Sequence, residues 1–319
     1  MRNKWLFLIL LTCCMTRLTA QQDLFVVLDV SSSNGLTYSQ EGGNERRVFA
    51  GTTVKAPGRL RLLQGVSAVI VFEDTRTTLK GPAMYDLEQL GADIRSQNSS
   101  TFLSRFWSFI SNAIKDTDTP QQVEQSHRRY LTNARAGVSG FGSPSYSIEA
   151  PLYLTGLLTH PEVTFRWDSV AHPSGYRFEL RKEGAAEPIL AATLSDEQFT
   201  TDLRQLRFEG NAPAYWQVSA LQTDSSWLQS APFPILYDEA ALQNFDTQLE
   251  ADGDFQSLSE PVQPIYRLYE LEEAGLFQAA YCTYAAQLQS DAPSAVDRQL
   301  FISFLLRMNA LEEAQTLMK

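Results

Sequence analysis

The chain has 319 residues, 44% of them hydrophobic, with 26 Lys plus Arg against 37 Asp plus Glu, a formal net charge of −11 at neutral pH. That length is enough to bury several apolar cores. The acidic balance argues against nucleic acid as a ligand, because phosphate binding relies on clustered Lys and Arg.

Met1 to Ala20 combines a basic start (Arg2, Lys4), an apolar core from Trp5 to Met15 and Leu18-Thr19-Ala20 ahead of Gln21-Gln22. This is a signal-peptide layout whose core is too short to span a bilayer, and it predicts export to the periplasm or the cell surface with cleavage near Ala20. Lipidation at Cys13 or Cys14 ranks second, since Leu11-Thr12 precede them where such sites favour small residues. With the leader removed, Cys282 is the one remaining cysteine and no internal disulfide is expected. Its Ala-rich, aromatic, helical surroundings read as packing around a buried thiol rather than as a nucleophile's site.

Residues 21–90 read as a small β-domain. Phe25-Val26-Val27-Leu28 and Val66 to Phe72 are apolar, β-branched runs, as buried strands are; Gly51-Thr52-Thr53-Val54-Lys55 and Arg59-Leu60-Arg61-Leu62 alternate, as half-exposed strands do. Asn34-Gly35, Gly42-Gly43 and Pro57-Gly58 supply turns, and Thr77-Thr78-Leu79, closed by Gly81-Pro82 before Met84 to Leu87, completes the set. An opening strand, a polar hairpin, a Gly-Thr-Thr-Val step, an apolar strand ending at Phe72-Glu73-Asp74 and a Gly-Pro closure resemble the FecR-like domain. The resemblance implies a periplasmic or envelope setting, where that family includes parts of iron-responsive sigma-factor regulators.

Asp29-Val30-Ser31-Ser32-Ser33 also matches the D-x-S-x-S pattern by which von Willebrand A domains hold Mg²⁺. Asp29, Ser31 and Ser33 are hard oxygen ligands at alternate positions and suit that ion. The fold would need a long helix straight afterwards, and Gly35 to Gly43 is rich in β-formers and glycine. A strand running into a polar turn is therefore the preferred reading, with no metal and no cofactor.

Residues 91–149 turn polar and read as a helical linker region. Phe102 to Ile110, continuing to Ile114, has the spacing of an amphipathic helix, and a second helix is expected from Gln121 to Tyr130 after Pro120. The face bearing Phe102, Phe106, Phe109 and Ile110 could meet a membrane, but its polar side lacks the Lys and Arg of an interfacial helix, so docking on protein is favoured. Arg135 to Pro144 is small-residue linker, without the Lys-Ser/Thr ending of a phosphate loop.

Residues 150–237 alternate again at Val163 to Trp167, Tyr176 to Leu180 and Ala214 to Ala220. An early Trp, an aromatic middle strand and a Tyr-Trp-x-Val strand resemble an Ig-like or fibronectin-type-III-like sandwich, which implies that Trp167 and Trp216 are core residues. Residues 238–319 read as helices over Glu239–Leu249, Val262–Ala274, Phe277–Leu288, Ala295–Met308 and Ala310–Met318. Shifted by 34 positions, Leu271 falls on Leu305, Gly275 on Asn309, Phe277 on Leu311 and Ala280 on Ala314, which resembles the tetratricopeptide helix pair. Two partial repeats are fewer than such stacks need, so the module is expected to lean on another surface. Its 14 Asp plus Glu against 4 Lys plus Arg (4 − 14 = −10) hold most of the formal excess charge. Tyr266, Tyr269, Glu272, Glu273 and Tyr284 are the candidate partner-binding residues.

His127, His160 and His172 are too scattered for a zinc site, and no G-x-S-x-G or H-E-x-x-H motif occurs. The expected fold class is multidomain and mainly β, a FecR-like domain plus an Ig-like sandwich, with a helical linker and a helical C-terminal module. The expected function is non-enzymatic: an exported envelope scaffold or signalling adaptor contacting an envelope protein of unknown identity. The alternatives, in order, are a FecR-like regulator or sensor, a Mg²⁺-dependent adhesion module and a hydrolase.

Overall fold

The computed structural model describes residues 23–32, 34–40, 43–72, 75–96, 104–117, 148–171, 173–182, 184–206, 214–222, 225–258, 260, 262–290 and 293–319. The leader 1–20 with Cys13 and Cys14, Ser33, the Glu73-Asp74 turn, Phe102, the helix expected at 121–130, the linker 135–144, His127 and His172 lie outside these residues. The chain divides into two compact units, Met1–Ser100 and Thr101–Lys319.

In the first unit, eight strands form two four-stranded antiparallel sheets. The strands are β1 (Leu24–Val30), β2 (Leu36–Gln40), β3 (Arg46–Arg47), β4 (Thr53–Lys55), β5 (Gly58–Leu62), β6 (Ser67–Phe72), β7 (Thr75–Lys80) and β8 (Ala83–Asp86). One sheet runs β4-β1-β6-β7 and the other β3-β2-β5-β8, so β4 and β5 are consecutive in the chain yet belong to different sheets. Period-two alternation explains β5, whose Gly58, Leu60 and Leu62 point inward while Arg59 and Arg61 face water. Phe25 and Phe72 stack at 4.2 Å in the core beside Val27, Leu36, Leu60 and Ile70.

Helix α1 (Leu87–Ser96) closes this unit. Sequence reading missed it, although its buried Leu87, Gly91 and Ile94 have helical spacing. Asp86 starts it as an N-terminal cap, its Oδ1 accepting the Glu88 and Gln89 amides at 3.0 and 3.3 Å. Gly58 marks the tightest approach inside the unit: a Cβ there would sit 2.5 Å from the Tyr38 ring and 2.7 Å from the Lys55 carbonyl. The ring is tethered in place because the Tyr38 hydroxyl donates to that same carbonyl at 2.7 Å. Gly58→Ala is therefore expected to destabilise the unit by about 2–3 kcal/mol, read as a lower urea midpoint with unchanged m-value.

The second unit begins with helix α2 (Ser104–Thr117), followed by a one-turn 3-10 helix (Leu152–Leu154). Next come β9 (Gly156–Leu158), β10 (Glu162–Arg166), β11 (Pro173–Lys182), β12 (Leu190–Leu194), β13 (Gln198–Asp202), β14 (Ala214–Gln222), β15 (Trp227–Gln229) and β16 (Phe233–Tyr237). Strands β10 and β13 pair in one sheet; the other runs β12-β11-β14-β16-β9, with β15 also on β14 and β9 joining parallel to β16. The sheets meet through aromatic rings: Phe165 of β10 lies 5.1 Å from Phe178 of β11 and 5.1 Å from Trp216 of β14, and Phe199 of β13 lies 4.8 Å from Phe178. The Trp216 indole N–H, which would be orphaned in this core, donates to the Leu154 carbonyl at 2.9 Å.

The C-terminal region is helical: α3 (Glu239–Glu250), α4 (Gly253–Ser257), α5 (Gln263–Glu273), α6 (Phe277–Leu288), α7 (Ala295–Arg307) and α8 (Leu311–Leu317). Apart from short α4, these begin and end within one residue of the helices read from sequence. The 34-residue repeat is visible in the backbone. Gly275 and Asn309 both take left-handed φ, 72° and 58°, and close α5 and α7 with equivalent bonds, Leu276 N–H to the Leu271 carbonyl and Ala310 N–H to the Leu305 carbonyl. Ala280 and Ala314 are both fully buried. The build is thus mixed α/β, several small sheets followed by a helical region, rather than mainly β. The reason is that the strands are short, so the helices of 87–117 and 239–317 hold about as many residues as all of them together; α2 and the C-terminal helices form one helical layer, in which Phe106 lies 5.1 Å from Tyr266 and Phe109 lies 5.3 Å from Tyr269.

Candidate binding cleft between the middle sheets and the helices

The helices are bonded to the sheet pair at several points. Leu152 N–H donates to the Met308 carbonyl at 2.7 Å, bringing the α7–α8 turn against the segment ahead of β9. The buried Gln278 of α6 accepts the Thr159 and His160 amides on Oε1, at 2.8 and 3.0 Å. Tyr153 stacks on Tyr281 of α6 at 4.1 Å. Both phenols donate to Glu313 of α8, Tyr153 at 2.6 Å to Oε1 and Tyr281 at 3.1 Å to Oε2. Burial first, and then the Glu313 charge, pushes both phenols above the ordinary tyrosine range.

Beside this seam lies a cleft of about 590 Å³. The sheet side supplies Arg166 at the end of β10, Trp167 and Asp168 just beyond it and Asp196-Glu197 from the β12–β13 turn. The helix side supplies Leu311, Glu312 and Glu313 from the first turn of α8. Backbone bonds hold this arrangement: Trp167 N–H donates to the Glu197 carbonyl at 3.2 Å and Asp168 N–H to the Glu149 carbonyl at 2.9 Å. Arg166 approaches Glu313 at 3.7 Å, and Glu197 accepts the Tyr176 hydroxyl at 3.2 Å. The side-chain carboxylates of Asp168, Asp196 and Glu312 have no hydrogen-bond or ion-pair partner among the described residues.

Burial, followed by the charges of Glu149 and Glu312, pushes the Asp168 carboxyl up to about 6. Because the residue as a whole is exposed, solvent screening cuts the energetic weight of that shift. An unfolded Asp titrates near about 3.9, so between roughly pH 4 and 6 the folded chain binds more protons than the unfolded one. Stability is therefore highest below that window and is lost as pH rises through it. Asp168→Asn removes this penalty: the variant is expected to be more stable than the parent above pH 6, by no more than about 1 kcal/mol after screening, and equal to it below pH 4. Thermal unfolding of both proteins across that range checks it, and an Asn variant that gains nothing at neutral pH contradicts it.

The residues singled out from sequence fall elsewhere. Tyr266, Tyr269 and Tyr284 are buried in the helical layer. Glu272 accepts the Tyr284 hydroxyl at 2.9 Å and pairs with Arg307, so it too serves the interior, and of the five only Glu273 is exposed. Asp29 is exposed at the end of β1, while the Ser31 hydroxyl accepts the Ser67 amide at 2.9 Å and the chain continues into strand β2 rather than a helix. Among the described residues no group of three or more His, Cys, Asp or Glu is placed to hold a metal ion. Phe106 and Ile110 of α2 are covered by protein, and no described helix is long and apolar enough to cross a membrane. Cys282 is half-buried, and burial raises its thiol above the ordinary cysteine range. The cleft was not foreseen. Its sequence signals, Trp167-Asp168, Asp196-Glu197 and Glu312-Glu313, are ordinary surface pairs until the fold brings them together.

No protein-family model matches the chain. No curated protein matches it either. Among solved structures, the crystal structure of a β-1,2-glucanase from Parabacteroides distasonis aligns at 10% identity over 93% of this chain and 49% of that one, with a TM-score of 0.20. The chain spans about half the length of that enzyme, and at this TM-score the alignment carries no argument about fold or activity.

Proposed function

We propose that the protein is a non-enzymatic, exported scaffold or signalling adaptor of a bacterial envelope, acting through protein–protein contacts. In this reading the strands of 24–86 form a FecR-like domain, β9 to β16 an Ig-like or fibronectin-type-III-like sandwich, and α5 to α8 a tetratricopeptide-like pair of repeats. The periplasm or the cell surface is the proposed address, on the strength of the leader.

The observation that supports it most is the bonding of the helices to the sheet pair through Gln278, Glu313 and the Leu152–Met308 bond. A helical repeat held this way presents a fixed acidic surface, which suits a contact module and favours encounter with a basic partner. Crosslinked capture from intact envelopes tests it, comparing the full chain with a charge-reversed form carrying Glu250→Lys and Glu273→Lys at two exposed positions. Capture of a defined partner that weakens in the charge-reversed form supports the adaptor. No capture by either form, or hydrolysis of an ester, glycoside or peptide by the purified protein, rejects it.

A further inference from the structure

We infer that β12 (Leu190–Leu194) is an interface between two copies of this chain, in which the strand pairs antiparallel with its counterpart about a two-fold axis at Ala192. The inference is independent of the adaptor reading. Three observations carry it.

The first is an unguarded edge. β12 ends the larger sheet of the second unit, and among the described residues it pairs with β11 alone. An edge strand offers a row of unpaired N–H and C=O groups, which proteins guard with charged residues, proline or a covering element. The other edge strands longer than three residues all carry charge: Arg76 and Lys80 in β7, Asp86 in β8, Glu162 and Arg166 in β10, and Asp202 in β13. β12 reads Leu-Ala-Ala-Thr-Leu, with neither charge nor proline.

The second is an incomplete core. The register sets Leu190, Ala192 and Leu194 opposite Leu180, Phe178 and Tyr176, whose side chains are buried inside the sandwich. Residues opposite one another point to the same face, so the three β12 side chains are aimed inward as well. They are nevertheless only half-buried, because the facing sheet consists of β10 and β13 alone and stops short of this edge. A second copy continuing the sheet extends that apolar face and gives these side chains new neighbours.

The third is self-complementarity. Antiparallel pairing centred on Ala192 sets Leu190 against the partner's Leu194, Ala192 against the partner's Ala192 and the exposed Ala191 against the partner's Thr193. Inward residues meet inward residues, so both cores lie on one side of a continuous sheet; a slip of one residue would set inward against outward. Pro188, which lacks an N–H, and the charged Asp196 bound the pairing at its two ends. One short strand buries less than the roughly 800 Å² per partner of a standard interface, so the dimer is weak and dissociates on dilution.

Sedimentation velocity on the purified full chain, from low micromolar to near-millimolar concentration, tests the inference. The parent is expected to pass from monomer to dimer across that range. Ala191 and Thr193 are both exposed in the single copy, so substitutions there leave its fold intact, which unchanged thermal unfolding at low concentration checks. Ala191→Lys with Thr193→Lys sets lysine against lysine at both outward pairs and is expected to raise the dimer dissociation constant about tenfold. Ala191→Lys with Thr193→Glu sets lysine against glutamate across the same axis and is expected to return it to within about threefold of the parent. A parent that stays monomeric at every concentration overturns the inference and leaves a foreign strand as the remaining occupant of this edge. A dimer indifferent to the double lysine variant overturns it too, as does a lysine-glutamate variant no tighter than the double lysine one, since the copies would then meet on another surface or in another register.

Discussion

Glu272→Ala is expected to lower the stability of the second unit by about 3–5 kcal/mol, the cost of removing one partner from a largely buried ion pair. Glu272 reaches from α5 to α6 and α7 at once. Its Oε1 accepts the Tyr284 hydroxyl and its Oε2 pairs with Arg307, which also donates to the Ser303 hydroxyl at 2.7 Å and lies 5.2 Å over the Phe109 ring of α2. The side chains of Glu272 and Arg307 are 9% and 21% exposed, so truncating the carboxylate strands a guanidinium that water reaches poorly. The Tyr284 hydroxyl is orphaned as well. A double variant, Glu272→Leu with Arg307→Met, replaces the pair with apolar volume and is expected to recover most of the loss. Urea unfolding of Glu272→Leu alone, Arg307→Met alone and the two together, read as a thermodynamic cycle, decides the matter: additive losses would mean that the pair does not couple these helices.

Gln278→Leu is expected to cost about 2–4 kcal/mol, because one side-chain oxygen satisfies two backbone donors, the buried Thr159 amide and the part-buried His160 amide. Leu fills a similar volume but leaves the Thr159 and His160 amides without an acceptor where β9 ends against α6. Gln278→Glu keeps the oxygen and is expected to be far milder. Hydrogen exchange at those two amides separates this local cause from a general loss of packing, since only the Leu variant should deprotect them. Equal exchange in both variants would show that the contact does not pin the seam.

Helices and strands were legible wherever one local signal recurred: two-residue alternation in β5 and the spacing of the 34-residue repeat both survive in the structure. Helix α1 went unread because Gly91 occupies a core position, facing the Phe25 and Phe72 rings, where a periodicity search expects a larger apolar residue. The five candidates for partner binding failed to mark an exposed patch for the opposite reason. Aromatic and acidic residues at helical spacing look alike whether they face water or a neighbouring helix, and here α2 and α7 cover Tyr266, Tyr269 and Glu272.

By itself the sequence determined the acidic balance, the order of strand-rich and helix-rich segments and the C-terminal helix ends, because composition needs no fold and each element depends on residues within a turn or two of one another. Only the tertiary structure decided that α2 completes the helical layer, that Gln278 and Glu313 join that layer to the sheets, and that Asp168 and Glu312 face one cleft. Those contacts link residues more than a hundred positions apart, and their energies depend on burial and on which charge lies opposite, neither of which a linear chain specifies locally.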